Sequence, residues 1–309
     1  MNWTKFALVF SLLAVGAVLA TRGTSDPSVS LASVVELWTD TLRDTDQIGM
    51  KLTRVSDAEE MRIGSDLARG VADLGREDAD ATRYVTGVAQ SLSPHLRRPG
   101  IHYRFHVIDS PQINAFALPG GQIFVMRGLL EFVESEAELA AVLGHEMSHV
   151  DLRHCIERYQ YEAKLTKAGA PQLGWLVEMA HRFVTLGFSP QQELEADAQG
   201  ERLSVESGYD PDAEAALFTR MKTKLHEPSR VQASTPAGEI TEAADEAIGA
   251  YFRTHPPSEE RVARLNDMLA RHRRELAGRP FYVGKENLRE RVPKSSRAYA
   301  GEFHEISPR

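Results

Sequence analysis

A chain of 309 residues with 42% hydrophobic side chains and an ordinary 26% charged fraction has the apolar content to bury a large core. Its formal net charge of −8, with no basic stripe, excludes the electrostatic footprint of a nucleic-acid binder. The sole cysteine, Cys155, excludes an internal disulfide and reads as a small, inert, buried thiol.

Taken in chain order, Met1-Asn2-Trp3-Thr4-Lys5 is a short cationic stretch, and residues 6–20 are apolar apart from Ser11 and Gly16. That run is short for a spanning helix, which needs about 20 apolar residues, and Val18-Leu19-Ala20 offers a cleavage point. Residues 1–20 therefore read as a signal peptide, with an uncleaved anchor as the alternative. The expected location is the periplasm or cell envelope. A lipoprotein is excluded, because no cysteine closes the apolar run.

Residues 21–79 read as a helical segment. Leu31, Val34, Val35, Trp38 and Leu42 recur at helical spacing, and further helices are predicted at residues 57–74 and 78–92. Residues 101–109 alternate as a strand, with His102 and His106 on an exposed face. Residues 114–118 and 122–126 flank the turn Pro119-Gly120-Gly121, which predicts a small antiparallel sheet. Helices follow at 135–163, 190–206, 211–225 and 257–276. The Pro-, Ser- and Gly-rich residues 226–239 read as a mobile loop and a candidate lid near the cleft. The fold class is α+β and mainly α-helical, with a main domain at 80–276 and a polar C-terminal tail at 277–309.

The chemistry is concentrated in His145-Glu146-Met147-Ser148-His149. A helix turns about 100° per residue, so side chains at i and i+4 share a face and both imidazoles reach one ion. Glu146 stands a step round that face, where a base for the water of a zinc site belongs. Ser135-Glu136-Ala137-Glu138 has the form of a capping box, which makes this segment a helix.

A third ligand must come from elsewhere. A metzincin needs Gly and His three and six residues after the second His, but those positions hold Leu152 and Cys155. Glu193-Leu194-Glu195-Ala196-Asp197 offers a carboxylate on a second helix, opened by the capping sequence Ser189-Pro190-Gln191-Gln192. Alone, an acidic helix start is what the helix dipole favours. Paired with the upstream motif, Glu193 supplies the missing ligand. Asp197, four residues on, can accept a hydrogen bond from the outer nitrogen of a ligating imidazole, and Glu195 points away.

These two segments, followed by Thr254-His255-Pro256-Pro257-Ser258-Glu259-Glu260-Arg261, resemble the gluzincin family of the HtpX heat-shock proteases, CAAX-prenyl endopeptidases, Oma-type mitochondrial proteases and BepA-type periplasmic proteases. Asn114-Ala115-Phe116-Ala117-Leu118-Pro119-Gly120-Gly121 is similar to the family's edge strand and turn, and Ser207-Gly208-Tyr209-Asp210-Pro211 to its usual helix break. The resemblance covers about residues 80–270.

It implies one Zn2+ per chain held by His145, His149 and Glu193, Glu146 as the base, and Asp197 as partner of a ligating imidazole. His255 resembles a histidine that in periplasmic members can approach the metal's open position, or could stabilise a developing oxyanion. Arg261 matches an arginine that orients a carboxylate or a substrate carbonyl. Asn114, Ala115, Phe116 and Ala117 are either an edge strand alone or a substrate shelf pairing with an extended peptide.

The implied activity is zinc-dependent endopeptidase cleavage in quality control of cell-envelope or membrane proteins. Its substrates would be unfolded or misassembled envelope proteins, with membrane association possible and nucleic acid excluded. The alternative is an envelope-protein chaperone or assembly factor whose zinc site His255 closes. A CAAX-type enzyme is disfavoured, since no apolar stretch beyond the N-terminus approaches the roughly 18 residues a span needs. Nor does a tetratricopeptide array appear, which separates the chain from the longer periplasmic members.

Overall fold

The computed structural model describes residues 55–71, 74–166, 187–226 and 259–306, with Met179, Phe183, Tyr251, Thr254 and His255. The signal or anchor expected at residues 1–20, the helix expected around Leu31 to Leu42, the loop expected at 226–239 beyond His226, and Pro256-Pro257-Ser258 lie outside the described residues.

The fold is organised around one buried helix. Helix α4 (Glu136–Asp151) is buried along its entire length, so its neighbours must cover every face. Helices α1 (Asp57–Gly70) and α2 (Ala79–Leu92) precede it, and each opens on a side-chain cap, Ser56 and Asp78 respectively. Strands β1 (Arg104–Ile108), β2 (Ala115–Leu118) and β3 (Gln122–Met126) form a sheet in the order β1-β3-β2, and the short helix α3 (Arg127–Phe132) leads to α4.

The predicted hairpin is present, since β2 pairs antiparallel with β3 from Ala115↔Val125 to Leu118↔Gln122. β1, however, runs parallel to β3, from Arg104↔Gln122 to Ile108↔Met126, so the sheet is mixed rather than wholly antiparallel. All five residues of β3 are buried, and such a strand takes the centre with a neighbour on each side. His106 is half-buried rather than exposed, because its ring stacks on Phe124 of β3 at 4.6 Å between centroids. The turn needs its glycine: Gly120 has φ 69°, and a Cβ there would fall 2.5 Å from Glu60 O in α1.

The long helix predicted at 135–163 is two. Arg153 adopts φ 72° and separates α4 from α5 (His154–Thr166). Its guanidinium reaches Val55 O at 2.6 Å, which ties this unusual backbone to the start of α1. Helices α6 (Pro190–Glu206), α7 (Ala213–His226) and α8 (Glu259–Glu275) follow. Among the described residues, no helix is long and apolar enough to cross a membrane.

The C-terminal residues form structure that their polar composition concealed. Strands β4 (Pro280–Tyr282) and β5 (Phe303–Glu305) pair antiparallel, with helix α9 (Lys285–Glu290) between them. This segment seats on the start of α4, where Gly284 O accepts Glu136 N at 3.1 Å and Val283 O accepts Ala137 N at 3.0 Å. With Ser135 Oγ accepting Glu138 N at 3.1 Å, the first three amides of the buried helix are satisfied. Glu138 reaches back to Glu134 N at 2.8 Å, one residue before the predicted box partner, and Arg220 holds its other oxygen at 2.9 Å. The buried Glu136 carboxylate accepts from Tyr84, Tyr209 and Lys294 N at 3.1, 2.9 and 2.8 Å, joining α2, the turn after α6 and the C-terminal segment to α4.

Candidate metal centre

The site lies where α4 crosses α6. Two glycines set the approach: a Cβ on Gly144 would meet Gly200 O at 2.9 Å, and one on Gly200 would meet His145 N at 2.8 Å. No larger residue fits at that spacing, and it lets a short carboxylate on one helix reach imidazoles on the other. Helix α6 begins as the sequence predicts, with the full Ser189–Gln192 box and Pro190 in its first turn.

His145, Glu146, His149, Glu193 and His255 are all buried, each at most 3% exposed. The inward nitrogens of His145 and His149, both Nε2, stand 3.1 Å apart. Each lies 3.5 Å from an oxygen of Glu193. His255 Nδ1 completes the group, 3.2 Å from His145 Nε2 and 3.2 Å from Glu193 Oε2. A tetrahedral zinc with Zn–N distances of about 2.0–2.1 Å spaces its donors about 3.3–3.4 Å apart. The four donors observed here, all within 4.8 Å of one another, therefore fit a single small cation.

Electrostatics supports the same fit. The buried carboxylates of Glu146, Glu193 and Asp197 gather around these imidazoles, and Arg261 contacts two of them, Glu193 and Asp197. A divalent cation balances them. Without one, protons take that part. Burial opposes charge on His145, yet its hydrogen bonds to Asp197 and Glu193 hold its pKa well above the ordinary range. For His255 burial is likewise outweighed, by Glu193 and Glu146, and its pKa is pushed up to about 9. Burial lowers His149 well below its usual value. Burial would raise Glu193, but His255 and His145 keep it well below the carboxylate range. Neither oxygen of Glu146 has a hydrogen-bond partner among the described residues, although Oε1 lies 3.2 Å from His255 Nε2.

The outer side of the site is equally ordered. Asp197 Oδ1 accepts from His145 Nδ1 at 2.9 Å, the partnership predicted from its place four residues after Glu193. Arg261 is buried. Its Nε and Nη2 each reach Asp197 at 2.8 Å, and its Nη1 lies 3.0 Å from Glu193 Oε2. It thus orients both carboxylates. Asn114, Ala115, Phe116 and Ala117 are all buried at the sheet's edge, where Ala117 O accepts the Cys155 thiol at 3.6 Å and Asn114 Oδ1 the Thr254 hydroxyl at 3.4 Å. Cys155 is fully buried and has no place among the inward donors.

Three residues escaped sequence reasoning. His154 Nδ1 lies 3.1 Å from His149 Nδ1, and Phe188 stacks on the His149 ring at 3.7 Å between centroids. Glu214 lies behind Asp197 with one buried oxygen unpartnered, and burial together with the Asp197 charge pushes its carboxyl up to about 8. Of these only the spacing of His154, five residues beyond His149, is visible in the chain, and helical periodicity argues against it.

Two imidazoles and a glutamate on one helix, with a second glutamate from a crossing helix, define the gluzincin class of metal-dependent hydrolases. This chain belongs to peptidase family M48, a family of zinc-dependent metallopeptidases whose profile, Peptidase family M48, matches residues 79–269. Relatives include the mitochondrial metalloendopeptidase OMA1 of Schizosaccharomyces pombe, 30% identical over 198 residues that cover 61% of this chain and 53% of that protein. The beta-barrel assembly-enhancing protease of Escherichia coli is 30% identical over 196 residues, 57% of this chain and 40% of that protein. The metalloprotease LoiP of Escherichia coli is 25% identical over 210 residues, 64% of this chain and 75% of that protein. The chain thus spans about half of the first relative's length and less of the second's.

Proposed function

We propose that this protein is a zinc-dependent endopeptidase holding one zinc ion per chain on His145, His149 and Glu193. The observation that carries this reading is the spacing of their inward atoms, 3.1 to 3.5 Å, in a buried group that brings carboxylates and imidazoles together. Zinc, when bound, supplies a Lewis acid and lowers the pKa of water in its open position to roughly 7. Glu146 takes the proton of the attacking water and delivers it to the leaving amine. Asp197 and Arg261 hold the ligands in place. Asn114, Ala115, Phe116 and Ala117 would receive an extended substrate by main-chain pairing.

The substrates we assign are unfolded or misassembled proteins of the cell envelope or its membranes. The names of the relatives support this, one being a beta-barrel assembly-enhancing protease and another a mitochondrial metalloendopeptidase. Export to the periplasm or envelope, by a cleaved signal or an uncleaved anchor at residues 1–20, is part of the same proposal.

The test is Glu146→Gln in the full chain. The variant should retain about one zinc per chain while cleavage of an unfolded protein such as casein falls by about 10²–10⁴-fold. Undiminished metal-dependent cleavage would remove Glu146 from its role. Glu193→Ala and His149→Ala should lose zinc.

One observation favours a second reading. His255 Nδ1 stands in the fourth donor position, which suits a closed site and an envelope chaperone or assembly factor with little proteolysis. His255→Ala separates the two. Cleavage that appears or rises on removal of this ring identifies a regulated protease, and zinc-loaded protein that cleaves nothing with or without it supports the chaperone reading.

A further inference from the structure

We infer that His154 and Glu195 position His149 through a hydrogen-bonded relay ending on its outer ring nitrogen. This rests on the metal-centre reading above and adds two residues to it. His149 turns Nε2 towards the inward donors and Nδ1 towards His154 Nδ1, 3.1 Å away. On the far side of that second ring, His154 Nε2 meets Glu195 Oε2 at 3.2 Å. Glu195 is itself steadied by Gln191 Nε2 on its other oxygen, at 2.9 Å.

With His154 neutral, the protons in this chain have one consistent arrangement. A carboxylate only accepts, so His154 Nε2 carries a hydrogen. In neutral His154 the lone pair is then on Nδ1. Two facing Nδ1 atoms share a single hydrogen, which in this arrangement belongs to His149. A neutral His149 protonated on Nδ1 has its lone pair on Nε2, the tautomer a metal requires. Phe188 packs flat on the same ring, 13° from parallel, and fixes its plane.

The helix break makes the relay possible. In one continuous helix a residue five positions on lies about 140° round the axis, out of reach. Arg153, at φ 72°, ends α4 and restarts the chain as α5, which brings the His154 ring to 5.2 Å from that of His149. His145 is supported differently, directly by the carboxylate of Asp197. Of the three carboxylates in Glu193-x-Glu195-x-Asp197, the first faces the metal position and the other two each end behind a different imidazole.

The experiment measures zinc affinity by chelator competition on the full chain, with the ring tautomers of the zinc-loaded wild type read by ¹⁵N NMR. His154→Phe keeps an aromatic ring and removes the acceptor, and it should weaken zinc binding by about 10- to 100-fold. His154→Asn returns an acceptor near the Nδ1 position and should recover most of that loss. Glu195→Gln, at a half-exposed position that tolerates change, should weaken binding a few-fold. The wild-type spectrum should show His154 protonated on Nε2 alone. Unchanged affinity in His154→Phe, or a proton on His154 Nδ1, would overturn the relay while leaving the metal centre standing. A wild-type protein that takes up no zinc would remove both.

Discussion

Gly144 and Gly200 meet where the two site-bearing helices cross, with the carbonyl oxygen of Gly200 only 2.9 Å from where a side chain on Gly144 would begin. The close approach places Glu193 3.5 Å from both inward imidazole nitrogens. Gly200→Ala is therefore predicted to loosen the site from a distance. Alanine gains about 1 kcal/mol of helix propensity over glycine, while overpacking costs about 1–3 kcal/mol. The expected result is a lower urea midpoint with weaker zinc retention. An alanine variant as stable and as tight for zinc as wild type would mean that the helices separate without consequence.

Among the described residues, Arg261 is the guanidinium facing Asp197 and Glu193, which it reaches at 2.8 and 3.0 Å. Replacing it by methionine leaves two buried carboxylates sharing less positive charge, a loss of about 3–5 kcal/mol when one member of a buried pair is removed. Zinc should offset part of that loss, so Arg261→Met is expected to be markedly destabilised in chelator and less so with zinc. Lysine cannot reproduce the two-pronged contact with Asp197 and should rescue poorly. Equal denaturation curves for wild type and Arg261→Met in chelator would contradict this account.

Metal removal should itself be measurable as stability. Ligand that binds only the folded state at a thousand times its Kd contributes about 4 kcal/mol. Denaturation with zinc and with chelator should differ by that order in wild type and by little in Glu193→Ala. A difference that survives in Glu193→Ala would point to another ligand.

His272 carries the pH dependence that lies away from the metal position. It is buried, bonded to Glu201 and 3.9 Å from Asp212. Burial opposes its charge, but these two carboxylates raise its pKa from 6.5 to about 9. A raised folded value means that the protonated form stabilises the fold. The contribution is complete below about pH 6.5 and is lost as pH rises through about 9, worth at most about 3 kcal/mol. Stability measured from pH 6 to 10 should lose its His272 component in His272→Gln, so that the variant's curve departs from wild type over this window while His255 and Glu214 go on titrating in both. Parallel curves would exclude His272 as the source.

The features legible in residue order were those that helical geometry fixes locally. The i, i+4 spacing of His145 and His149, the Ser189–Gln192 box and the offset of Asp197 from Glu193 each follow from 3.6 residues per turn. His154 was illegible for the same reason. The rule that pairs 145 with 149 turns 154 away, and only the left-handed residue Arg153, held by a contact to Val55, reverses it. The C-terminal strands were hidden because three-residue segments carry almost no periodicity, and their partners lie more than twenty residues apart.

Residue order alone determined the family of this protein, and it named the side chains we propose as ligands and base and the helices on which they ride. The backbone's own periodicity is enough to put such groups on one face. How near the helices come, how Arg261 serves two carboxylates at once, and which ring stands behind His149 were decided only when distant segments packed. Those distances depend on glycine contacts and burial between residues far apart in the chain, which no local pattern encodes.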